Sequence, residues 1–258
     1  MNCGTFAGLV PTRVLLVEAP DGLVLVDSGI GLVDIADPAA RLGPMRYALR
    51  PRLDPAETAR RRIEALGLDP RAVRHIVLTH LDVDHIGGLS DFPEAEVHVS
   101  ESALTWAVRT PRWIERRRYR RAQWAHGPRF TEYTYGTDRW EGFRARDLGH
   151  VAPGMILVDL PGHTVGHAGV LVPGDDDEVD VLHAGDAFYS RSQLDAAAGG
   201  SRLVTVPERL LALQPDAVAL THAGLSALAR RRGPALDVVC AHEPTGPGGL
   251  TRTGGRGR

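Results

Sequence analysis

Apolar positions along this chain come in short, punctuated runs, some with the spacing of strands and some with that of helices. Val14–Val17 and Leu23–Val26 are apolar runs of strand length. Ala19-Pro20-Asp21-Gly22 between them is a turn signal, because Pro presets φ and Gly tolerates positive φ; the pair predicts a hairpin. Asp27-Ser28-Gly29 ends its second strand. Residues 31–53 carry Pro38, Gly43, Pro44 and Pro51 and predict a long loop, of the kind that usually serves a function. Asp54-Pro55-Ala56-Glu57 is a helix start: Asp54 can cap, Pro55 suits the first helical position, and Glu57 can reach back. Ala56, Ala59, Ile63 and Leu66 then recur at helical spacing, and Gly67 fits the stop.

Val73–Leu78 predicts the next strand, with His80–His85 as the loop at its C-terminal end. Val97–Val99 predicts another, followed by a helical stretch from about Glu101. Residues 104–143 hold all four Trp, with Tyr119, Tyr133 and Tyr135 and the basic cluster Arg116, Arg117, Arg118, Arg120 and Arg121. They predict a helical or irregular insertion whose aromatics pack on the core, or alternatively the wall of a substrate pocket. Met155–Leu160, Ala168–Val172, Val179–Leu182, Ala217–Leu220 and Val238–Cys240 predict five further strands, with a helix over Leu225–Arg232 between the last two. Residues 246–258 are rich in Gly, Pro, Thr and Arg and predict a disordered tail after a single domain over residues 1–245.

Composition narrows the picture. A hydrophobic fraction of 43% and a charged fraction of 24% over 258 residues are those of an ordinary soluble domain with a sizeable core. The formal net charge of -2 gives no global attraction to nucleic acid or to an anionic membrane. Every basic residue is Arg, so Lys-dependent Schiff-base or phosphate-loop chemistry is excluded. Two cysteines, Cys3 and Cys240, make neither a disulfide framework nor a Cys-rich zinc site. No signal peptide and no run long enough to cross a bilayer is seen, so a cytoplasmic protein is expected.

The candidate chemistry lies in Thr79-His80-Leu81-Asp82-Val83-Asp84-His85. Four side chains able to bind metal fall within six residues, directly after an apolar run, and imidazole with carboxylate is the donor set of hydrolytic metal centres. Three weaker signals follow, each at a predicted strand end: His163 in Leu160-Pro161-Gly162-His163-Thr164, Asp186 in His183-Ala184-Gly185-Asp186, and His242 in Cys240-Ala241-His242-Glu243-Pro244. A lone His or Asp in such a place is usually structural. Their order along the chain gives them weight together.

In this order the residues resemble the metallo-β-lactamase fold superfamily, over nearly the whole chain from Asp27-Ser28-Gly29 to His242. The family carries an HxHxDH loop, a GH turn, a GD turn and a terminal His; the matching residues are His80, Asp84, His85, His163, Asp186 and His242. Thr79, Gly87-Gly88 and the Pro-Gly-His-Thr run strengthen the match. The resemblance implies an α/β fold, a four-layer αββα sandwich. It also implies two divalent metal ions, with Zn expected and Fe or Mn as alternatives. His80, His163 and residue 82 would hold the first, and Asp84, His85 and His242 the second, with Asp186 bridging. Asp84 would also hold or relay a proton. Asp186-Ala187-Phe188-Tyr189 looks like the Asp-x-x-Tyr run of the N-acyl-homoserine lactonase branch, where the Tyr hydroxyl stabilises developing negative charge; an ordinary packing Tyr is the rival reading.

Asp82 departs from the family pattern, which has His there. Either the site is degenerate and binds one metal or none, or Asp82 ligates in place of the imidazole. A carboxylate in that place favours Fe or Mn more than an all-His site does, without excluding Zn. His222 is the one rival to His242 as terminal ligand. His167 and His183 are expected to support ligands, and His75, His98, His126 and His150 to be surface or packing residues. Cys240 reads as a small buried hydrophobe, with an approach to the metals as the alternative. The leading function is a metal-dependent hydrolase that opens a lactone, ester or thioester by a hydroxide held between the metals, acting on a small molecule. The alternatives are an iron-dependent oxidoreductase, since flavodiiron proteins have an acid at the place of Asp82, and a non-catalytic metal- or ligand-binding protein. Against the oxidoreductase stands the absence of a Cys cluster and of an appended flavodoxin or rubredoxin domain.

Overall fold

A computed structural model describes residues 2–5, 8–110, 115–174, 179–194 and 211–243. The predicted tail over 246–258 lies outside them. Internal packing divides the chain into two units, residues 1–134 and 135–258, described separately here.

In the first unit, β3 (Leu15–Ala19) and β4 (Gly22–Val26) form the predicted antiparallel hairpin. β5 (Val73–Val77), β6 (Glu96–Ser100) and β7 (Arg129–Tyr133) add in parallel, giving the order β3-β4-β5-β6-β7. Parallel strands are covered on both faces, which is why their sequences are near-continuous apolar runs. Val24, Leu25, Val26, Ile76, Val77, Val97 and Val99 are all buried. β1 (Asn2–Thr5) and β2 (Gly8–Pro11) form a separate two-stranded sheet.

Two expectations fail in this unit. Residues 31–53 are not a loop: they hold three short helices, α1 (Leu32–Ala36), α2 (Pro38–Leu42) and α3 (Met45–Leu49). Asp37 caps α2, accepting from Ala40 N at 3.1 Å, with Pro38 at its first position. Pro38 and Pro44, two of the prolines that suggested a loop, instead stand at the starts of α2 and α3. The predicted helix from Asp54 is split into a 3₁₀ turn, Pro55–Glu57, and α4 (Ala59–Ala65), because Thr58 is extended and caps α4 itself.

The second unit carries β8 (Arg139–Trp140), β9 (Phe143–Asp147), β10 (Ile156–Asp159), β11 (Ala168–Val172), β12 (Asp180–His183) and β13 (Leu236–Val239), in the order β13-β12-β11-β10-β9-β8. Its neighbours are antiparallel except β12 and β13, which run parallel. Residues 104–143 therefore contain β7, β8 and part of β9, besides short helical turns, and are not a helical or irregular insertion. The predicted strand Ala217–Leu220 is also overturned: it lies in one long helix, Pro215–Arg232, here α7 (the helices Val83–Ile86 and Glu101–Leu104 being α5 and α6). A four-residue apolar run cannot by itself separate strand from helix. The buried positions Val218, Thr221, Leu225 and Leu228 show the helical spacing. Leu225 and Leu228 join a core with Leu182, Ala184, Phe188, Val238 and Cys240. Burying each leucine contributes roughly 2 kcal/mol. Among the described residues no helix is long and apolar enough to cross a membrane.

Candidate metal centre

β5 ends at Val77, and the chain then turns through the segment that the sequence marks; it is not all loop as expected, since Asp84 and His85 lie on the short helix α5 that starts after Asp82. Its anchor is Asp27, which follows β4 and is fully buried with φ of 59°. Left-handed backbone is costly for a side chain other than Gly, and Asp is among the residues that tolerate it best. The conformation aims the carboxylate across to the loop. Asp27 Oδ1 accepts from Thr79 N at 2.8 Å, and Oδ2 accepts from Thr79 Oγ1 at 2.8 Å and from His85 Nδ1 at 2.9 Å. The Thr79 hydroxyl, donating to Asp27, accepts in turn from His80 Nδ1 at 2.9 Å. One buried carboxylate thus sets the tautomer of both imidazoles, with the proton on Nδ1 and Nε2 left as an electron-pair donor.

Two glycines let the loop close on the β4 end. A Cβ on Gly88 would sit 2.5 Å from Ser28 O, and one on Gly87 would sit 1.9 Å from Asp34 Oδ2. Ser28 N and Oγ both donate to His85 O, at 2.8 and 2.9 Å. Under this turn lies a buried polar cluster. Asp34 accepts from Arg41 Nε at 2.7 Å, from Gln123 Nε2 at 3.0 Å and from Gly31 N at 3.0 Å, while burial pushes its carboxyl above the usual range. Arg41 also donates to Gly87 O at 3.1 Å.

The first unit brings its four marked donors together. The His80 and His85 rings lie 4.0 Å apart between centroids. His80 Nε2 is 3.3 Å from Asp82 Oδ2, and His85 Nε2 is 3.8 Å from Asp84 Oδ2. Thr12, buried, donates to Asp84 Oδ2 at 3.4 Å. Asp82 is also held by Arg118 of the basic cluster. Nε donates to Oδ1 and Nη2 to Oδ2, both at 2.6 Å.

In the second unit the donors come from three separate chain segments. His163 follows β10, Asp186 follows β12 and His242 follows β13. Asp186 Oδ2 lies 3.4 Å from His163 Nε2 and 3.0 Å from His242 Nε2. The parallel pairing of β12 with β13, His183 opposite Val239, brings the last two segments level. Buried His167 links the first two: Nδ1 donates to Leu160 O at 3.0 Å, and Nε2 accepts from Asp186 N at 3.0 Å. It braces Asp186 by way of its backbone. Gly162, with φ of 147°, has no room for a Cβ, which would meet Val218 at 3.0 Å. Tyr189 Oη is 3.3 Å from His163 Nδ1, and its ring lies edge-on to those of His163 and His242.

The remaining histidines sort themselves by partner. His222 lies on α7, not at a strand end, and its Nε2 bonds Ala187 O at 2.8 Å, a structural tie. His183 Nδ1 accepts from Gly185 N at 3.2 Å, shaping the Asp186 turn. His75 Nδ1 and His98 Nε2 lie 2.9 Å apart, with His98 Nδ1 2.8 Å from Tyr133 Oη, a chain along β5, β6 and β7. Cys240 packs in the buried core of its unit, and burial pushes its thiol up to about 12.

Asp27 was visible in the sequence only as a strand end, and Arg118 only as one of five neighbouring arginines. Thr12 carried no signal at all.

The donor set fits divalent metal. Two ligands about 2.0–2.2 Å from one tetrahedral ion are roughly 3.3 Å apart. Of the four imidazole–carboxylate separations between candidate ligands within the two units, three are 3.0–3.4 Å and one is 3.8 Å.

The comparisons with known proteins agree. The Metallo-beta-lactamase superfamily model matches residues 7–242. The probable metallo-hydrolase Rv2300c of Mycobacterium tuberculosis is 47% identical over 248 residues, 95% of this chain and 79% of that protein. The N-acyl homoserine lactonase AttM of Rhizobium johnstonii is 27% identical over 247 residues, 95% of this chain and 86% of that protein. A solved N-acyl homoserine lactone hydrolase, with N-hexanoyl-L-homoserine bound at its catalytic metal centre, superposes with a TM-score of 0.67 at 17% identity, covering 91% of this chain and 82% of that one. The chain belongs to the metallo-β-lactamase superfamily, has its α/β fold, and is a metallo-hydrolase resembling the N-acyl-homoserine lactonase branch.

Proposed function

We propose that His80, Asp82, Asp84 and His85 act with His163, Asp186 and His242 to hold two divalent metal ions, and that the protein hydrolyses a small-molecule lactone, ester or thioester. The spacing of imidazole nitrogens from carboxylate oxygens, with the far ring nitrogens of His80 and His85 tied through Thr79 and Asp27, is the observation that carries this reading. The lactonase names among the relatives put lactones first. When bound, such ions supply a water acidified to near neutrality and an electrophile for the carbonyl.

The chain's own groups do the rest. Asp84, oriented by Thr12, accepts the proton of the attacking water and delivers it to the leaving oxygen or sulfur. Asp27 keeps His85 and His80 in the ligating tautomer throughout. The Tyr189 hydroxyl donates to the oxygen on which negative charge develops. Asp186 supplies the shared negative charge that two neighbouring cations need.

Purified without chelator, the protein should carry two equivalents of divalent metal, with zinc expected, and should turn over at least one member of a lactone, ester and thioester panel. Chelation should abolish turnover and added zinc restore it. Redox-active iron with oxygen consumption and no hydrolysis would sink this reading.

A further inference from the structure

Asp82 stands where the family pattern has a neutral imidazole, and a bare carboxylate there would add a negative charge to the centre. The structure pairs it with a cation. Arg118 meets both oxygens side-on at 2.6 Å through Nε and Nη2, and both side chains are mostly buried, at 15% exposure each. A fork of this kind takes one lone pair from each oxygen and fixes the plane of the carboxylate. Of the two oxygens, Oδ2 is at the same time 3.3 Å from His80 Nε2. The Asp82–Arg118 pair is therefore neutral as a unit, like the imidazole it replaces, and presents one oxygen.

From this we infer that Arg118 is a positioning residue for the metal centre: it holds Asp82 as a one-oxygen ligand and cancels its charge. The inference rests on Asp82 being a ligand, as proposed above. Without the guanidinium, the centre would gain a net negative charge, and Asp82 would be free to chelate through both oxygens, a mode suited to harder, higher-coordinate cations such as manganese. A guanidinium paired with Asp82 would repel a divalent cation held by that carboxylate in a partly buried site. Its removal therefore tightens metal binding even though it also frees the Asp82 side chain.

The test uses the full-length protein and chelator competition for zinc and manganese, with elemental analysis for stoichiometry and thermal melting to confirm folding. Arg118→Met should bind its weaker equivalent at least about tenfold tighter than wild type, the gain being larger for manganese than for zinc. Arg118→Lys, which keeps the charge but not the fork, should stay near wild type for zinc. Asp82→His with Arg118→Met should return zinc affinity and zinc-over-manganese preference close to wild type, because the unit is neutral again. A folded Arg118→Met protein with unchanged or weaker affinity for both metals would overturn the inference. Asp82→Ala in the same assay separates the two failures. If it loses an equivalent while Arg118→Met changes nothing, only the role of Arg118 falls. If it keeps both equivalents, Asp82 is not a ligand and both ideas fall. Removing a residue whose role is merely structural would not tighten metal binding.

Discussion

The two donor sets are built on opposite plans. The first unit offers four donors within six residues of one loop, and their geometry depends on a buried acid from the neighbouring strand end. The second unit gathers three donors from positions 163, 186 and 242, and their geometry depends on strand register and a bracing histidine. A local set is dense in sequence yet needs an external anchor to order it. A dispersed set is sparse in sequence, but the sheet itself brings it together. The two sets should therefore fail in different ways.

The largest expected effect is at Asp27. Asp27→Ala leaves Thr79 N, the Thr79 hydroxyl and the His85 Nδ1 without their acceptor in a fully buried place. The unfolding free energy should fall by about 4 kcal/mol. The milder Asp27→Asn keeps an acceptor for Thr79 N and suits the positive φ, but its amide nitrogen cannot accept from His85. Metal affinity should drop tenfold to a hundredfold, as for loss of other carboxylates behind metal-binding histidines. Denaturant melts and chelator competition measure both. Wild-type metal affinity in Asp27→Asn would show that the loop orders itself.

Next comes His167, the counterpart brace. His167→Ala loses two buried hydrogen bonds and leaves a cavity, and should cost about 3 kcal/mol. Its effect on metal binding should be smaller than that of Asp27→Asn, because β12–β13 pairing still levels Asp186 with His242. The reverse order of metal losses would break the comparison.

The same contrast explains what the sequence made legible. The dense loop announced itself, and six strands and the hairpin were readable as apolar runs. The dispersed donors gained meaning only through their order along the chain. Ala217–Leu220 misled because four apolar residues fit either period, and burial at 218, 221, 225 and 228 settles it as helix. In residues 31–53 Pro was taken as a breaker where it starts α2. β7 and β9 were missed because Arg129–Tyr133 and Phe143–Asp147 are short and mostly polar, so neither forms an apolar run. Arg118 could not be singled out, since nothing local distinguishes it from its neighbours; its meaning comes from Asp82, 36 residues away.

A third test concerns the footing of the loop. Asp91 ends the turn that begins at Gly87 and accepts from Leu32 N. Burial pushes its carboxyl up to about 6 from the usual 3.8. The folded state therefore holds a proton that the unfolded chain has already released between these values. Stability falls as pH rises from about 4 to about 6 and is level above, the loss being about 3 kcal/mol. Asp91→Asn keeps an acceptor for Leu32 N and has no proton to lose, so its contribution is flat with pH. The difference in unfolding free energy between variant and wild type should grow in favour of the variant across pH 4 to 6. A constant difference would mean that Asp91 titrates normally.

The smallest effect asks whether the dispersed set brings chemistry or only ligands. Tyr189 is held near His163 by a long 3.3 Å contact, so Tyr189→Phe should cost well under about 1 kcal/mol of stability and leave metal stoichiometry unchanged. If its hydroxyl donates to the developing oxyanion, kcat should fall about tenfold with KM little altered, since that interaction strengthens only in the transition state. An unchanged kcat would make Tyr189 a packing residue. The second unit would then contribute metal ligands alone, leaving proton handling to Asp84 on the loop.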